Sequence, residues 1–510
     1  MGVDKINRNA KEYVVSNNLA ALIPSSLARQ YHLFPYKLEG NNLLVAMEDP
    51  YNFVAIDHIK RITGFDVIPY QVSIEVIHHY INHLYKNEPI EKALQEFFEQ
   101  YPVSSGLQTN QPDYPAEPIT SAPIVKLVDS LIKQAIEQSA SDIHIEPMEN
   151  SVRIRYRIDG LLCNITNLPL ETHNPIITRL KFLGNMNIGE KRQPQDGRFE
   201  LEVMDRNIDI RISTINTIYG EKCVLRLLDR DYFLFPKEKL GLSKENMEKF
   251  NKLLKISHGV ILVTGPTGSG KSTTLYTMLN EINDEKDNII TIEDPVECKI
   301  AGINQIQINP KAGITFSNSL RSVLRQDPDV IMIGEIREHE TAEMVIRAAI
   351  TGHLVLSTVH TYNAIGAISR LLDMGVKKYL LADALAGIIS QRLIRKVCTH
   401  CRKSYRPEKN DLERIGVSPE EYGHWFEKVG CIKCNYTGYK GRTAIHEILP
   451  IDKDIYNLIL EGASSDIINK HAVQNGFITL KEGCIQAFNK GITTYEEIMR
   501  ILYTFESSPK

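Results

Sequence analysis

Hydrophobic and polar residues near the start of the chain alternate in short runs. Apolar stretches at 43–47 and 65–69 are flanked by turn-forming residues, which is typical of strands in a small α+β domain, predicted over 1–87. Five prolines among Ser, Gln, Asn and Thr residues follow between 101 and 123. Because such a composition cannot bury enough apolar surface to fold, residues 88–119 are predicted to form a flexible linker.

The next segment combines an amphipathic helix with strands that alternate strictly. Apolar residues recur at helical spacing over 124–135, and 152–158 alternates between apolar residues and arginines. A similar alternation recurs over 208–212. Alternate side chains of a strand share one face of a sheet, so most of these arginines are expected on a solvated face. We therefore predict a second α+β domain over 120–230.

After a connector at 231–241, short apolar runs alternate with helical stretches. Such alternation is typical of a parallel sheet flanked by helices, so 242–395 is predicted to form an α/β domain. Residues 396–446 hold paired cysteines, and 447–510 has helical periodicity. The predicted strands of the α/β domain are 259–264, 288–292, 330–333 and 353–357.

Composition narrows the classes of partner. A chain of 510 residues is too long for a single core, which favours three or more domains. Its 59 Lys and Arg residues against 63 Asp and Glu give a net charge of −4, which offers no general attraction to nucleic acid. No apolar run reaches the roughly twenty residues of a membrane helix, and the N-terminus has no signal-peptide core. We expect a cytoplasmic protein that contacts membranes only through partners.

The strongest chemical motif is a glycine-rich turn between a predicted strand and a helix. Its sequence, Gly-Pro-Thr-Gly-Ser-Gly-Lys-Ser, matches the phosphate-binding loop pattern completely. The glycines let backbone N–H groups surround phosphate oxygens, Lys271 reaches the β- and γ-phosphates, and Ser272 can ligate Mg²⁺. A turn that only joins a strand to a helix would explain the glycines but not the Lys-Ser pair. The predicted nucleotide-binding residues are Gly265, Pro266, Thr267, Gly268, Ser269, Gly270, Lys271, Ser272 and Thr273.

Carboxylates at the ends of two predicted strands are candidates for metal and water chemistry. Nucleotide hydrolysis needs groups that hold Mg²⁺ and orient the attacking water. Glu293 and Glu297 follow one strand, and Glu335 follows another. Gly334 stands where a Walker B strand commonly has Asp, so Mg²⁺ ligation would rest on Glu335 and the acids at 293–297. Loop carboxylates exposed to solvent are the alternative interpretation.

Histidines stand at both ends of another predicted strand. His353 precedes and His360 follows the apolar run of 354–359. A histidine at a strand end is more often structural than catalytic. Beside a phosphate-binding loop, however, either one could sense the γ-phosphate. His353 is therefore a candidate for nucleotide binding and His360 for catalysis.

Four of the eight cysteines form two Cys-x-x-Cys pairs. Cys398 and Cys401 are followed, 29 residues later, by Cys431 and Cys434. This spacing matches a closed tetrahedral Zn²⁺ site, which implies a structural metal. A redox-active pair is the alternative, but two matched pairs suit a metal better. Residues 396–446 are therefore predicted to form a tetracysteine zinc module.

Taken in order, these motifs resemble those of the type II secretion and type IV pilus assembly ATPases, a branch of the secretion ATPase superfamily. The phosphate-binding loop is similar to their Walker A motif, and 291–297 to their Asp box. Residues 324–337 are similar to their Walker B motif, in which glycine is usual before the glutamate, and 351–361 to their His box. Segments 140–147 and 217–222 match their second N-terminal domain.

The resemblance implies a fold, an activity and an assembly. It predicts a RecA-like motor domain behind two N-terminal domains, the second of them PAS-like, in a hexameric ring. That ring would hydrolyse ATP with Mg²⁺ to drive pseudopilin or pilin assembly. Glu297 and Glu335 would act on Mg²⁺ and water, while Arg211 and Arg226 would reach phosphates bound to their own chain. Its partners would be an inner-membrane platform protein and an associated cytoplasmic-membrane adaptor, which recruit it to the inner face of that membrane.

The first domain and the cysteine segment refine the resemblance. Assembly and secretion ATPases carry both, whereas pilus-retraction ATPases lack them. The first domain is therefore expected to dock the platform or another partner. Relatives that bind cyclic di-GMP open with an Arg-Leu-Gly motif, which is absent from 1–22 here. The resemblance thus gives no support for cyclic di-GMP binding.

Two other functions fit parts of the sequence. A zinc-ribbon nucleic-acid translocase would also combine a phosphate-binding loop with paired cysteines, but the acidic balance and the lack of aromatic-basic stripes argue against it. A small-molecule kinase would need an acceptor pocket, of which the sequence gives no sign. Stimulation of ATPase activity by DNA, or phosphoryl transfer to an acceptor, would distinguish these functions. The sequence is consistent with both type II secretion and pilus assembly.

Overall fold

A computed structural model describes residues 17–101, 122–229, 236–418, 420 and 423–506. Most of the predicted linker and the first half of the predicted connector lie outside these residues. Contacts divide the chain into two compact units: the first comprises 1–227 together with 430–438, and the second comprises 228–429 and 439–510. No helix in the described part of the chain combines the length and the apolar composition that spanning a bilayer requires.

The first unit begins with a small α+β domain. Its elements are α1 (Asn17–Ala20), α2 (Ser25–Gln30), β1 (Leu33–Glu39), β2 (Asn42–Met47), α3 (Phe53–Thr63), β3 (Asp66–Gln71) and α4 (Ile74–Leu84). The central strand β2 pairs antiparallel with β1 and parallel with β3. Its apolar residues are buried, as expected for a strand covered on both faces. Strands β2 and β3 confirm the two strands predicted here.

The structure differs from the predicted linker over residues 88–100, which form helix α5 (Glu88–Gln100). Ile90, Ala93 and Phe97 recur every three or four positions and are buried against helix α6 (Ala122–Glu137). Glu, Gln and Lys residues surround this narrow apolar stripe, so the composition of the segment favours a linker. The helix belongs instead to the core of the domain that follows.

The second domain of the first unit is a six-stranded sheet with helices on one face. After α6, its elements are β4 (Ala140–Pro147), β5 (Val152–Ile158), β6 (Leu161–Leu168), α7 (His173–Leu183), β7 (Gln195–Val203), β8 (Arg206–Thr217) and β9 (Gly220–Asp229). The spatial order is β6-β5-β4-β9-β8-β7. In β5 the apolar residues are buried, and the Tyr156 hydroxyl donates to the Leu131 carbonyl in α6 at 2.7 Å. The arginines alternate with them on the other face, as predicted.

The second unit contains the remaining elements. They are α8 (Lys244–Leu253), β10 (Gly259–Thr264), α9 (Lys271–Ile282), β11 (Ile289–Glu293), β12 (Asn304–Gln307), α10 (Phe316–Val323), β13 (Val330–Ile333), α11 (His339–Ile350), β14 (Leu354–Val359), α12 (Ala364–Asp373), α13 (Lys378–Ala384), β15 (Leu385–Val397), β16 (Lys403–Ser404), α14 (Lys409–Ile415), β17 (Phe426–Glu427), β18 (Tyr439–Pro450), α15 (Lys453–Glu461), α16 (Ser465–Gln474), α17 (Leu480–Asn489) and α18 (Tyr495–Glu506).

A seven-stranded sheet forms the centre of this unit. Its order is β12-β11-β13-β14-β10-β15-β18. All the pairings are parallel except that of β15 with β18. Strands β10, β13 and β14 are buried along their whole length, as expected for strands with helices on both faces. The four predicted strands are thus confirmed, and their carboxyl ends share one edge, where α/β proteins bind ligands.

Two segments predicted as separate regions complete the same unit. Strand β18 pairs with β15, so residues 439–446 belong to the seven-stranded sheet and not to the cysteine segment. Helices α15 and α16 bury Ile455, Ile459 and Ile468 in the main core of the sheet. The sequence pattern predicts these helices correctly, but periodicity does not identify the surface against which a helix packs.

The packing of α5 has a direct test. Phe97→Ala should lower the free energy of unfolding of the first unit by about 3–5 kcal/mol, because it leaves a cavity in the core. Glu99→Ala, at an exposed position of the same helix, is the control and should change it by less than about 0.5 kcal/mol. Urea unfolding measures both values. Equal stability of the two variants would show that α5 does not belong to this core.

Candidate functional site

The phosphate-binding loop joins the buried strand β10 to helix α9. Gly265, Gly268 and Gly270 have φ angles of 145°, 75° and 91°, which L side chains rarely adopt. A Cβ atom on Gly265 would lie 2.6 Å from both Ser269 Oγ and the carbonyl oxygen of Gln391. The tight turn therefore requires these glycines. It leads to the N-terminus of α9, where backbone N–H groups favour an anion.

Lys271 begins α9 and points back over the loop. Its Nζ donates to the carbonyl oxygens of Gly265 at 2.9 Å and Pro266 at 3.2 Å. Burial lowers the pKa of Lys271 to about 8, and the carboxylate of Glu335 opposes that shift. Phosphate oxygens would compensate the charge of this lysine better than two carbonyls do. Ser272 follows at an exposed position of the first helical turn, where its hydroxyl can reach a metal.

Glu335 follows β13 at the same edge of the sheet. Its carboxylate, which is only 14% exposed, pairs with Arg337 and lies 3.5 Å from Nε2 of His360. Burial lowers the pKa of His360, and the nearby Lys271 lowers it further. The structure therefore brings three predicted site residues, Lys271, Glu335 and His360, into one electrostatic group. That group can act on a metal ion and on a water molecule.

Glu293 ends strand β11 and is buried among protein donors. One oxygen accepts from the Tyr276 hydroxyl, and the other accepts from Thr291 Oγ1 at 2.6 Å and Gln305 Nε2 at 3.1 Å. Burial raises the pKa of Glu293. The Tyr276 hydroxyl also accepts from the backbone N–H of Glu297 at 3.1 Å. The contacts of Glu293 are thus within the protein, where they hold the segment that carries Glu297.

His353 occupies the other end of its strand. It precedes β14, which runs parallel to β10, whereas the phosphate-binding loop follows the carboxyl end of β10. Its Nδ1 donates to the Ala348 carbonyl at 2.9 Å. The length of β14 places His353 about 20 Å from the edge of the sheet that carries the phosphate-binding loop. Contrary to the expectation from sequence, the structure does not bring His353 to the phosphate-binding loop of its own chain.

Two residues outside the sequence motifs lie directly against the loop. Thr264 ends β10, and its Oγ1 accepts from the backbone N–H of Thr361 at 3.1 Å, which ties β10 to the segment after β14. Gln391, in β15, contacts both Ser269 and Thr274 through its side-chain amide. No local motif could identify Gln391, because its proximity depends on the pairing of β15 with β10.

The predicted clamp arginines lie on the six-stranded sheet of the first unit. Arg226, in β9, has a side chain that is 63% exposed, and its Nε lies 3.3 Å from Asp142. Arg211, in β8, is 23% exposed, and its Nε lies 3.8 Å from Asp209. Each arginine therefore has a carboxylate neighbour in its own sheet. The role of both residues toward a nucleotide stays a prediction.

The four paired cysteines form one cluster. The Sγ atoms of Cys398, Cys401, Cys431 and Cys434 all lie within 4.8 Å of one another, and those of the second pair are 3.8 Å apart. Tetrahedral Zn²⁺ with Zn–S bonds of about 2.3 Å places its sulfurs about 3.8 Å apart, so the donor set and spacing fit this metal. None of the eight cysteines, all within the described ranges, forms a disulfide.

Comparisons with known sequences agree with this arrangement. The profile of the type II/IV secretion system protein family matches residues 118–500, and that of the MshEN domain matches 8–91. The type IV pilus assembly ATPase PilB of Myxococcus xanthus is 40% identical over 499 residues, which is 96% of this chain and 88% of the relative. The type II secretion system protein E of Dickeya dadantii is 40% identical over 496 residues, covering 95% and 97%.

Another relative is longer, and solved structures support the fold. PilB of Thermus thermophilus is 42% identical over 488 residues, or 94% of this chain, but the chain spans only 54% of its length. The pilus retraction motor PilT with bound ADP is 29% identical, with a TM-score of 0.50 over 74% of this chain and 96% of PilT. The ATPase DotB of Legionella pneumophila has a TM-score of 0.56 at 19% identity, over 77% and 98%, which shows fold similarity alone.

Metal analysis tests the cysteine cluster. We expect one zinc per purified chain, and Cys431→Ser should lower both the zinc content and the thermal stability of the cysteine segment, because metal binding contributes folding free energy. Cys163→Ser, outside the cluster, is the matched control and should keep the metal. A purified wild-type protein that contains no metal, and whose cysteine segment is no more stable than that of Cys431→Ser, would exclude a structural metal site.

Proposed function

The chain belongs to the type II/IV secretion system protein family and is an ATPase of that family; on this premise we propose that it powers pseudopilin or pilin assembly as a hexameric ring. Relatives named for type II secretion and for pilus assembly are about equally similar over nearly the whole chain. The proposal therefore covers both machines. Its nucleotide is ATP bound with Mg²⁺.

The observation that carries the proposal is the meeting of the phosphate-binding loop with Glu335 at one edge of the sheet. Phosphoryl transfer is catalysed mainly by positioning and by charge stabilisation. The loop N–H groups and Lys271 would bind the phosphates, and the Ser272 hydroxyl would help to hold Mg²⁺. When bound, Mg²⁺ would neutralise charge that develops on the phosphate oxygens.

Glu335 is the group best placed to act on the attacking water. Its carboxylate is mostly buried and close to Lys271. It forms an ion pair with Arg337 and lies beside the imidazole of His360. A carboxylate in such a position can accept a hydrogen bond from water and orient it. Glu297 would assist at the metal, because Tyr276 and the buried Glu293 hold its backbone segment near the end of β11.

The remaining regions would serve recruitment and structure. We assign the first domain to docking on an inner-membrane platform protein and its adaptor, so the motor works at the cytoplasmic face of that membrane. The match of residues 8–91 to an MshEN domain supports a separate recruitment domain. Zn²⁺ in the cysteine cluster would be structural, since four thiolates leave no open coordination position. Nucleic acid and cyclic di-GMP are not part of the proposal.

Two substitutions separate binding from hydrolysis. Lys271→Ala should abolish both, because it removes the positive charge that would contact the β- and γ-phosphates. Glu335→Gln should keep nucleotide binding but lower kcat by roughly 10²–10⁴-fold, the usual contribution of a positioned acid or base. Glu340→Gln, at an exposed position of α11, is the control and should hydrolyse ATP normally. Phosphate release at the wild-type rate from either site variant would refute the site assignment.

Mixed rings test whether Arg211 acts on nucleotide bound to its own chain. Arg211→Ala and Glu335→Gln proteins, each inactive, should fail to rescue one another when co-assembled, because every site then lacks one group. If a neighbouring chain donates the arginine, some sites in a mixed ring are complete and ATPase activity returns. Native mass spectrometry confirms that mixed rings form. Clear recovery of activity would overturn the same-chain clamp.

A further inference from the structure

We propose that Gln391 is a positioning residue that holds the phosphate-binding loop in its nucleotide-binding conformation. The proposal rests on the ATP-binding function assigned above and extends it to a residue outside every sequence motif. Gln391 lies in the middle of β15 and is only 1% exposed. A buried glutamine is unusual unless both ends of its amide are satisfied, and here both ends contact the loop and its helix.

The side-chain amide of Gln391 joins the loop to the first turn of the helix that follows it. Its Nε2 donates to the carbonyl oxygen of Ser269 at 2.8 Å, and its Oε1 accepts from the Thr274 hydroxyl in α9 at 2.7 Å. The register of the sheet explains this placement, since Thr264 pairs with Ser390 and the loop begins one residue later. The backbone of Gln391 also limits the loop, because its carbonyl oxygen leaves no space for a side chain on Gly265.

The contact with Ser269 sets the direction of the next N–H group. A trans peptide unit points its C=O and N–H in opposite directions. Holding the Ser269 carbonyl at β15 therefore directs the Gly270 N–H away from β15. The second contact fixes Thr274 in the first turn of α9, where further N–H groups are free of helical partners. Gln391 thus prepares donors for an anion without touching the anion itself.

Only an amide of this length can make both contacts. A glutamate has no donor for the Ser269 carbonyl, and a methionine has neither a donor nor a strong acceptor. An asparagine is one methylene shorter. Without the amide, the loop would have to be ordered by the nucleotide, and that cost would reduce affinity. Because the phosphates are held in both the ground state and the transition state, the change should appear in KM more than in kcat.

The experiment compares Gln391→Met with the wild-type full-length chain. We expect the Kd of MgADP and the KM of MgATP to rise about tenfold, a loss typical of two ordinary hydrogen bonds, while kcat stays within about twofold. Calorimetry gives the Kd, and phosphate release gives KM and kcat. Unchanged Kd and KM, or a fall in kcat alone, would overturn the proposal.

Gln134→Met is the matched control for loss of a buried glutamine. Gln134, in α6, is 6% exposed, donates to the Lys86 carbonyl and the Asn87 side chain, and accepts from the Tyr156 hydroxyl at 3.0 Å. Its replacement should lower thermal stability yet leave the Kd of MgADP unchanged. If Gln134→Met weakens nucleotide binding as much as Gln391→Met does, the effect is one of general stability and the proposal fails.

Two further measurements keep the result decisive. Should Gln391→Met fail to fold, Thr274→Val removes only the hydroxyl that donates to Gln391 and should raise the Kd of MgADP about threefold. Wild-type affinity in folded Thr274→Val would then overturn the proposal.

Nucleotide binding by the wild-type chain separates this inference from the proposed function. If it binds neither MgADP nor MgATP, the proposed function is wrong, whereas wild-type binding with an unaffected Gln391→Met refutes only the role of Gln391.

Discussion

The parallel alignment of β10 between β14 and β15 is the constraint on which the motor unit depends. Parallel strands must finish at the same edge of a sheet, so the segments that follow them meet there. The phosphate-binding loop follows β10, His360 follows the neighbouring β14, and Glu335 follows β13 on the far side of β14. Strand β15 continues past this edge and supplies Gln391. The chemical groups therefore converge because of strand direction, although they are far apart in sequence.

Within that edge, each charged group is held by protein contacts before any ligand arrives. Lys271 rests on two loop carbonyls, Glu335 pairs with Arg337 and His360, and Glu293 is enclosed by Tyr276 and other donors. Burial lowers the pKa of Lys271 to about 8, and the negative charge of a bound polyphosphate would raise that pKa again. A site prepared in this way loses less free energy to reorganisation when its substrate binds.

Local patterns were sufficient for much of this architecture. The phosphate-binding loop, the four parallel strands and the cysteine pairs each depend on residues close in sequence, and the structure contains all of them. The errors have a common origin in long-range packing. Helix α5 gains its stability from α6, β18 from its pairing with β15, and His353 stands at the end of β14 remote from the loop. Gln391 likewise acquires its contacts only through the register of two strands.

Hydrogen–deuterium exchange of the full-length chain, with and without MgADP, tests most directly whether this edge of the sheet is the nucleotide site. Backbone N–H groups that donate to phosphate oxygens should exchange more slowly in the complex. We expect protection over 267–273 and no change over the first domain at 17–84. Protection that is absent from 267–273, or that appears only outside the second unit, would contradict the assignment of the site.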